Sequence, residues 1–210
     1  MWRVGYVSGP LVFHPRPCFE HRFDDPGHNF RTLYCAEQRI TALREALAFL
    51  RPRPHTLEEV EESLSLLPLS GELRQDTGLI SRAWLLNHLL VPARLEFLSG
   101  DLVDLDNVEL RHQLETRYAK LLREHGFAHL NISELRSTNR IVTQTIGRGL
   151  FDEGAAGVIF GSNLDDNRCL ALFEGRCRLT PDGPAESLIN PFPELLQVCR
   201  EWDLAIEEGS

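Results

Sequence analysis

The sequence predicts a mixed α/β protein built around one hydrophobic core. At 210 residues the chain is long enough for this, since folded chains of that size bury roughly 70% of their unfolded surface. Residues 157–160 and 169–173 are short apolar runs typical of buried strands. Residues 41–50 carry apolar side chains at helical spacing. Both strands and helices are therefore expected in one domain, residues 1–210.

The first fifty residues predict a strand, a long loop, a second strand and a helix. Residues 2–7 and 32–36 have the composition of strands, and a loop rich in Pro, His, Asp and Gly separates them over residues 8–30. The helix over residues 41–50 should turn one apolar stripe towards the core and end before the following prolines. That stripe consists of Leu43, Ala46, Leu47 and Leu50.

The rest of the chain predicts mostly helices before the two apolar strands and one helix after them. Residues 51–56 resemble a stiff linker, and a capping box at Thr56 predicts a helix to about Leu67. The Leu- and Glu-rich segment over about residues 51–100 is expected to form a helical insertion outside the core. The other predicted elements are helices over 81–90, about 110–125, 138–150 and about 193–202, and a strand over 102–105.

Composition and charge narrow the classes of function. The net charge of −9 repels phosphate backbones, so nucleic acid is not expected as a main partner. No run approaches the ~20 apolar residues of a membrane helix, and residues 1–10 do not resemble a secretory signal, so we expect a cytoplasmic protein without a membrane partner. The five cysteines are scattered without a CxxC, which favours reduced thiols over a disulfide framework or a zinc ribbon.

Common catalytic motifs are missing from the sequence. It contains no GxxxxGK[ST] phosphate loop, no GxGxxG after a strand, no GxSxG elbow and no HExxH. His125 and His129 are four residues apart, but Gly126 lies between them and no acidic partner matches their spacing, so no metal is expected.

Glu45 is the most informative ionisable residue of the predicted helix. It lies opposite the apolar stripe, yet its i−3 and i+4 neighbours are Ala42 and Phe49 rather than charged residues. This is a partly apolar setting for a carboxylate. Because glutamates are mostly exposed, however, a solvated helix residue is still favoured over a functional one on these grounds alone. By the same reasoning Tyr34 is a core or rim residue, and Arg3, Arg22 and Arg31 are surface residues.

Five segments, in order and spacing, resemble the RES-domain (Arg-Glu-Ser) family of NAD-consuming enzymes. The resemblance covers residues 2–50 and about 137–175, and no obvious counterpart is found for residues 51–100. His21-Arg22-Phe23 departs from the family's Gly-Arg-Trp pattern, which leaves the roles of Arg22 and Arg31 open. The five segments are Trp2-Arg3, His21-Arg22-Phe23, residues 31–37 followed by Glu45, residues 157–162 ending in Ser162, and residues 169–173.

The resemblance implies a fold and a set of site residues. The fold would be ADP-ribosyltransferase-like, with mixed sheets, surrounding helices and an NAD cleft. Glu45 would stabilise the ribosyl cation, and Ser162 would orient the nicotinamide half. Arg3, before Arg22, would hold the phosphates or ribose, and Tyr34 would contact the nicotinamide.

The resemblance also implies NAD as substrate rather than as a resident cofactor, and no metal. Water, inorganic phosphate or a protein side chain could accept the ADP-ribosyl group, and a small acceptor is favoured because some family members are toxins that deplete NAD. An antitoxin protein would then be a partner. Residues 51–100 would serve as a lid, a partner surface or a homo-oligomer interface. The alternative is a catalytically silent binding module in which Glu45 and Arg3 merely pair on the surface.

Overall fold

The computed structural model describes residues 1–14, 21–52 and 78–207. Strands and helices are mixed along this part of the chain, with four helices in succession before the last group of strands. In sequence order the elements are β1 (Trp2–Tyr6), β2 (Thr32–Ala36), α1 (Arg39–Leu47), a 3-10 turn (Ala48–Leu50), β3 (Leu79–Ile80), α2 (Arg82–Asn87), β4 (His88–Phe97), β5 (Leu102–Asp104), α3 (Val108–Arg117), α4 (Ala119–Glu124), α5 (Ile132–Leu135), α6 (Ile141–Asp152), β6 (Gly157–Gly161), β7 (Arg168–Phe173), β8 (Cys177–Pro181), β9 (Glu186–Ser187), α7 (Pro193–Trp202) and β10 (Ala205–Ile206).

A mixed sheet in the order β5-β6-β7-β2-β1-β4-β8 organises the fold, and β9 pairs with β4 beside this path. The β5–β6 pair is parallel, whereas the other pairs along this path are antiparallel. A separate two-stranded sheet joins β10 to β3. The class predicted from the sequence, α+β with mixed sheets and surrounding helices, is confirmed.

The two faces of the large sheet carry different clusters of side chains. Because side chains alternate along a strand, Trp2 and Val4 of β1 face the same side as Tyr34 of β2, in the larger cluster that also contains buried residues of α1, α6 and α7. Leu33 and Cys35 of β2 face a smaller cluster on the other side. The helical layer therefore covers the face to which Tyr34 points.

The predicted helical insertion over about residues 51–100 is wrong for residues 88–97. These form β4, which pairs with β1, β8 and β9 in the middle of the fold. Only residues 82–87 of the predicted helix over 81–90 are helical, capped by Ser81, whose hydroxyl accepts from the amide of Trp84 at 3.2 Å. Residues 53–77, including the predicted helix from Thr56, lie outside the described residues.

Pro92 explains why the long strand is hard to predict. A proline has no backbone N–H to donate to a neighbouring strand. It therefore argues against a central strand, which is paired on both sides. Here Pro92 falls between the part of β4 that pairs with β9, Leu89–Leu90, and the part that pairs with β8 from Ala93 onwards. Towards β1, the backbone bonds are made by Ala93, which donates to Met1 O at 2.8 Å and accepts from the Met1 amine at 2.9 Å. The missing donor therefore interrupts no pairing.

The β6–β7 hairpin brings the end of β6 to the helical layer. Gly161 at the end of β6 pairs with Arg168 at the start of β7, and Cys169 pairs with Ala36 at the end of β2. The chain leaves Ala36 and enters α1 three residues later, at Arg39. The loop over residues 162–167 and helix α1 are thus neighbours, although more than a hundred residues separate them. Within the described ranges, no helix is long and apolar enough to cross a membrane.

Candidate functional site

Glu45 on α1 and Ser162 after β6 form a hydrogen-bonded pair. The Ser162 hydroxyl donates to Glu45 Oε1 at 2.6 Å. It also accepts from the backbone amide of Leu164 at 3.0 Å, which fixes the direction of the hydroxyl. Ser162 is completely buried, whereas Glu45 is exposed. A buried donor therefore orients a carboxylate that solutes can reach, and Glu45 Oε2 accepts no hydrogen bond from the residues that the structure describes.

Asp165 fastens the loop of Ser162 to helix α1. Its Oδ2 accepts from the Thr41 hydroxyl at 2.7 Å and from Arg44 Nη1 at 2.8 Å. The loop closes on itself where Asn167 N donates to Asp165 Oδ1 at 3.2 Å. Burial alone would raise the pKa of Asp165, but the hydrogen bonds from Arg44, Thr41 and Asn167 outweigh it and hold the pKa below its usual value. The charged form of Asp165 is thus part of what places Ser162 against Glu45.

Arg22 is the predicted arginine that the structure brings to this pair. Its Nη1 donates to the carbonyl oxygen of Leu135 at 2.7 Å, and its guanidinium lies 5.8 Å from the centre of the Phe160 ring, two residues before Ser162. Burial lowers the pKa of Arg22, and the negative charge of Glu45 opposes that effect. The Arg22 guanidinium therefore lies near enough to Glu45 to be affected by its negative charge.

Tyr34 holds the segment that carries Arg22. Its hydroxyl donates to Asp24 Oδ1 at 3.0 Å and accepts from the backbone amide of Phe23 at 2.9 Å. Asp24 is buried and also accepts from the backbone amide of His21 at 2.9 Å. The ring of Tyr34 meets the ring of His21 edge-on at 5.3 Å. The phenol thus supports the backbone on both sides of Arg22, and its predicted contact with nicotinamide stays a prediction.

Arg3, the first choice from the sequence, lies elsewhere. It alternates with Trp2 and Val4 along β1 and faces the side of the sheet opposite α1, near Cys35. Its Nε donates to the Pro10 carbonyl oxygen at 2.9 Å, and its Nη1 donates to the carbonyl oxygen of Tyr34. Burial lowers the pKa of Arg3. Its guanidinium is therefore engaged in tying backbone segments together and is not placed beside Glu45.

Arg31 is also separate from the pair. It lies just before β2, and Thr32 pairs with Phe173 at the end of the sheet opposite to Ala36 and the Ser162 loop. Its Nε donates to Glu174 Oε2 at 2.7 Å, and its Nη1 donates to the His14 carbonyl oxygen at 2.8 Å. Of Arg22 and Arg31, which the sequence left open, the geometry favours Arg22.

Sequence reasoning missed the residues that support the pair. Asp165 stands in a polar loop, where an aspartate is ordinary, and nothing local shows that it meets Thr41, 124 residues away. Two further arginines near Arg22 carry no recognisable motif: Arg136 lies between two predicted helices, and Arg140 lies in the predicted helix over 138–150.

Two surface cavities lie away from the pair. One, of about 420 Å³, is lined by residues of α3 and α4, among them Glu115 of α3, and by Phe127 from the loop after α4. The other, of about 450 Å³, is lined by residues of β5 and α3. Neither includes Glu45 or Ser162. Within the described residues, no three His, Cys, Asp or Glu side chains are grouped as metal ligands.

Comparison with known families agrees with the motifs. Neither a curated protein nor a solved structure matches the chain. The family model of the RES domain matches residues 1–189. This match includes residues 51–100, for which the sequence motifs had no counterpart. Since the match covers most of the 210 residues, the chain belongs to the RES-domain family.

Proposed function

We propose that this chain cleaves the bond between nicotinamide and ribose in NAD and transfers the ADP-ribosyl group to water or inorganic phosphate. Membership of the RES-domain family supports an NAD-related role. The observation that carries the finer proposal is the Glu45–Ser162 pair with Arg22 beside it. It joins a carboxylate open to solvent, a buried hydroxyl that orients it and a cation.

The chemistry suits a carboxylate without a strong acid. The nicotinamide of NAD is already positively charged, so the electrons of the breaking bond go to its nitrogen and neutral nicotinamide leaves. Positive charge then builds on C1′ of the ribose. Glu45 would stabilise that charge, as a carboxylate does in glycoside hydrolysis. The acceptor bonds to C1′, and when the acceptor is water one proton is released.

The neighbours of Glu45 would supply position rather than bond breaking. Ser162 donates to one carboxylate oxygen and leaves the other to face the sugar. Arg22 can hold an oxygen of the substrate through its planar donors, which limits the motion of the ribose relative to Glu45. Ser162 is completely buried behind Glu45, so this role replaces the direct contact with nicotinamide that the resemblance implied.

The test is turnover of NAD by the purified protein, with the products identified by mass spectrometry in the presence and absence of phosphate. Free ADP-ribose without phosphate indicates hydrolysis, and a phosphorylated ADP-ribose that appears only with phosphate indicates phosphorolysis. A mass increase on a protein indicates a protein acceptor. A folded protein, free of any bound antitoxin, that neither binds nor consumes NAD would refute the proposal and leave the binding module as the reading of the site.

A further inference from the structure

Two further arginines, Arg136 and Arg140, lie near Arg22, although the chain carries a net charge of −9. Arg22 donates to the carbonyl oxygen of Leu135, the residue before Arg136. Burial is the main cause that lowers the pKa of Arg22, and the negative charge of Glu45 opposes it. Arg136 and Arg140 are both close enough to Arg22 to lower its pKa further. Like charges brought together cost free energy unless an anion lies between them.

Arg136 lies over the end of β6. Its Nη2 is so close to Gly161 that a Cβ at that position would be 2.7 Å away, and its Nη1 pairs with Asp166 at 2.6 Å. Its Nε is buried without a hydrogen-bond partner among the described residues. Asp166 is itself 80% exposed. The guanidinium therefore lies next to Gly161, the residue before Ser162, and its counterion among the described residues is a solvent-facing carboxylate.

Arg140 lies one helical turn before a residue that contacts the Arg22 segment. Gln144 Nε2 donates to the carbonyl oxygen of His21 at 3.0 Å. Residues i and i+4 of a helix share a face, so Arg140, the N-cap residue just before α6, is directed to the same side as that contact. The Arg140 side chain is exposed and has no hydrogen bond or ion pair with the described part of the chain.

We propose that Arg22, Arg136 and Arg140 form the subsite that binds the diphosphate of the dinucleotide substrate. This inference rests on the proposed function. The diphosphate is attached to C5′ of the same ribose whose C1′ must meet Glu45, so it must bind within one sugar ring of that carboxylate. Guanidinium groups bind phosphate oxygens through paired N–H donors. The two negative charges of the diphosphate offset the repulsion among the three cations.

The first test is binding, because binding does not depend on turnover. We expect Arg140→Gln to raise the Kd of ADP-ribose, measured by calorimetry, by about tenfold or more. Since the exposed Arg140 side chain makes no hydrogen bond or ion pair with the described residues, this variant should fold normally. The matched control is Arg94→Gln, which removes the same charge from an exposed ion pair with Asp182, on β4 and after β8, and should leave the Kd unchanged.

Asp166 gives a test with the opposite sign. Asp166→Asn removes the carboxylate that competes for Arg136, so we expect equal or tighter binding of ADP-ribose. The backbone of Asp166 is left-handed, with φ 60°, and asparagine tolerates that conformation well. If the Arg136–Asp166 pair only holds the loop in place, Asp166→Asn should instead weaken binding, and that result would overturn the role of Arg136.

Substrates of decreasing phosphate content separate this inference from the proposed function. Arg140→Gln should lower kcat/KM for NAD about tenfold or more and leave kcat/KM for nicotinamide riboside, which has no phosphate, unchanged. Equal losses of kcat/KM for both substrates, or no loss for NAD in an active enzyme, would overturn the proposed diphosphate subsite. The proposed cleavage of NAD would be unaffected by that result. If the wild-type protein does not turn over NAD, the proposed function fails, and the binding of ADP-ribose decides the subsite alone. Absence of that binding overturns it too.

Discussion

Replacing Glu45 with Gln removes the charge of the proposed catalytic carboxylate and changes little else. Gln keeps the shape of the side chain, and its amide oxygen can still accept from the Ser162 hydroxyl, which now donates to Glu45 Oε1 at 2.6 Å. Glu45 is exposed and lies on a helix that remains packed through Leu43 and Leu47, both fully buried. The substitution should therefore leave the fold intact.

The expected effects on turnover and on stability differ widely. Losing the group that stabilises the ribosyl cation should reduce kcat by roughly 10² to 10⁴-fold, or about 3 to 5 kcal/mol of activation free energy. NAD should bind almost as before, since the lost interaction strengthens mainly in the transition state. The free energy of unfolding should fall by no more than about 1 kcal/mol, because one charge-assisted hydrogen bond at an exposed group becomes a neutral one.

The assay is nicotinamide release under saturating NAD, followed chromatographically, with urea denaturation of each variant. Glu124→Gln serves as the control, since Glu124 is also an exposed helical glutamate and, within the described part of the chain, pairs with Lys120 alone, at 3.7 Å. Ser162→Ala should also reduce kcat, and the double variant of Glu45 and Ser162 should lose less than the sum of the two losses, because both act through one carboxylate. Near-normal kcat in Glu45→Gln would refute the mechanism.

Three further predictions concern the structure that supports the site. Asp165→Asn should lower the free energy of unfolding by about 1 to 2 kcal/mol in urea denaturation, since it breaks the partly buried ion pair with Arg44. Because the native pKa of Asp165 is lowered, its contribution to the free energy of unfolding is complete above about pH 4 and declines as the pH falls further. Below that pH the wild type should lose stability faster than the variant. Parallel pH profiles of the two proteins would contradict this. Gly157→Ala should lower the free energy of unfolding by about 2 kcal/mol or more, because a Cβ would collide with backbone atoms of β7. An unchanged melting temperature would show instead that β6 and β7 can move apart to accept the Cβ. Burial raises the pKa of Cys35 to about 12 and of Cys177 to about 11, so with Cys18 replaced by Ser, native thiol titration at pH 8 should find no fast-reacting thiol.

The elements that sequence reasoning predicted well are those with a local signature. Strand β2 begins and ends at the predicted residues, and β6 and β7 differ from the prediction by one residue, because continuous apolar runs specify buried strands. The predicted helix over 110–125 corresponds to α3 and α4, which are separated at Tyr118. Strand β4 was missed because its leucines follow those of α2 and because Pro92 normally excludes a central strand.

The site could be predicted only where the family motifs point to single residues. The motifs singled out Glu45 and Ser162, and the fold joins them across 117 residues. Local sequence cannot decide between Arg3 and Arg22, since both follow an expected motif and the choice depends on which face of the sheet each one occupies. Asp165 and Arg136 act through contacts between distant segments, and such contacts leave no local pattern of side chains.

In the Glu45–Ser162 pair the serine is buried and the glutamate is exposed, and this difference suits a carboxylate that stabilises a cation. A fully buried carboxylate would have to be desolvated, which favours its neutral form and weakens its ability to stabilise a cation. A carboxylate with no fixed partner on a mobile surface would lose much of its effect to side-chain motion. Here the buried Ser162 holds one oxygen of Glu45, while the rest of the carboxylate stays hydrated until the substrate arrives. Closing the site over the charge is therefore left to the substrate itself, which on our proposal is held through its diphosphate by Arg22, Arg136 and Arg140.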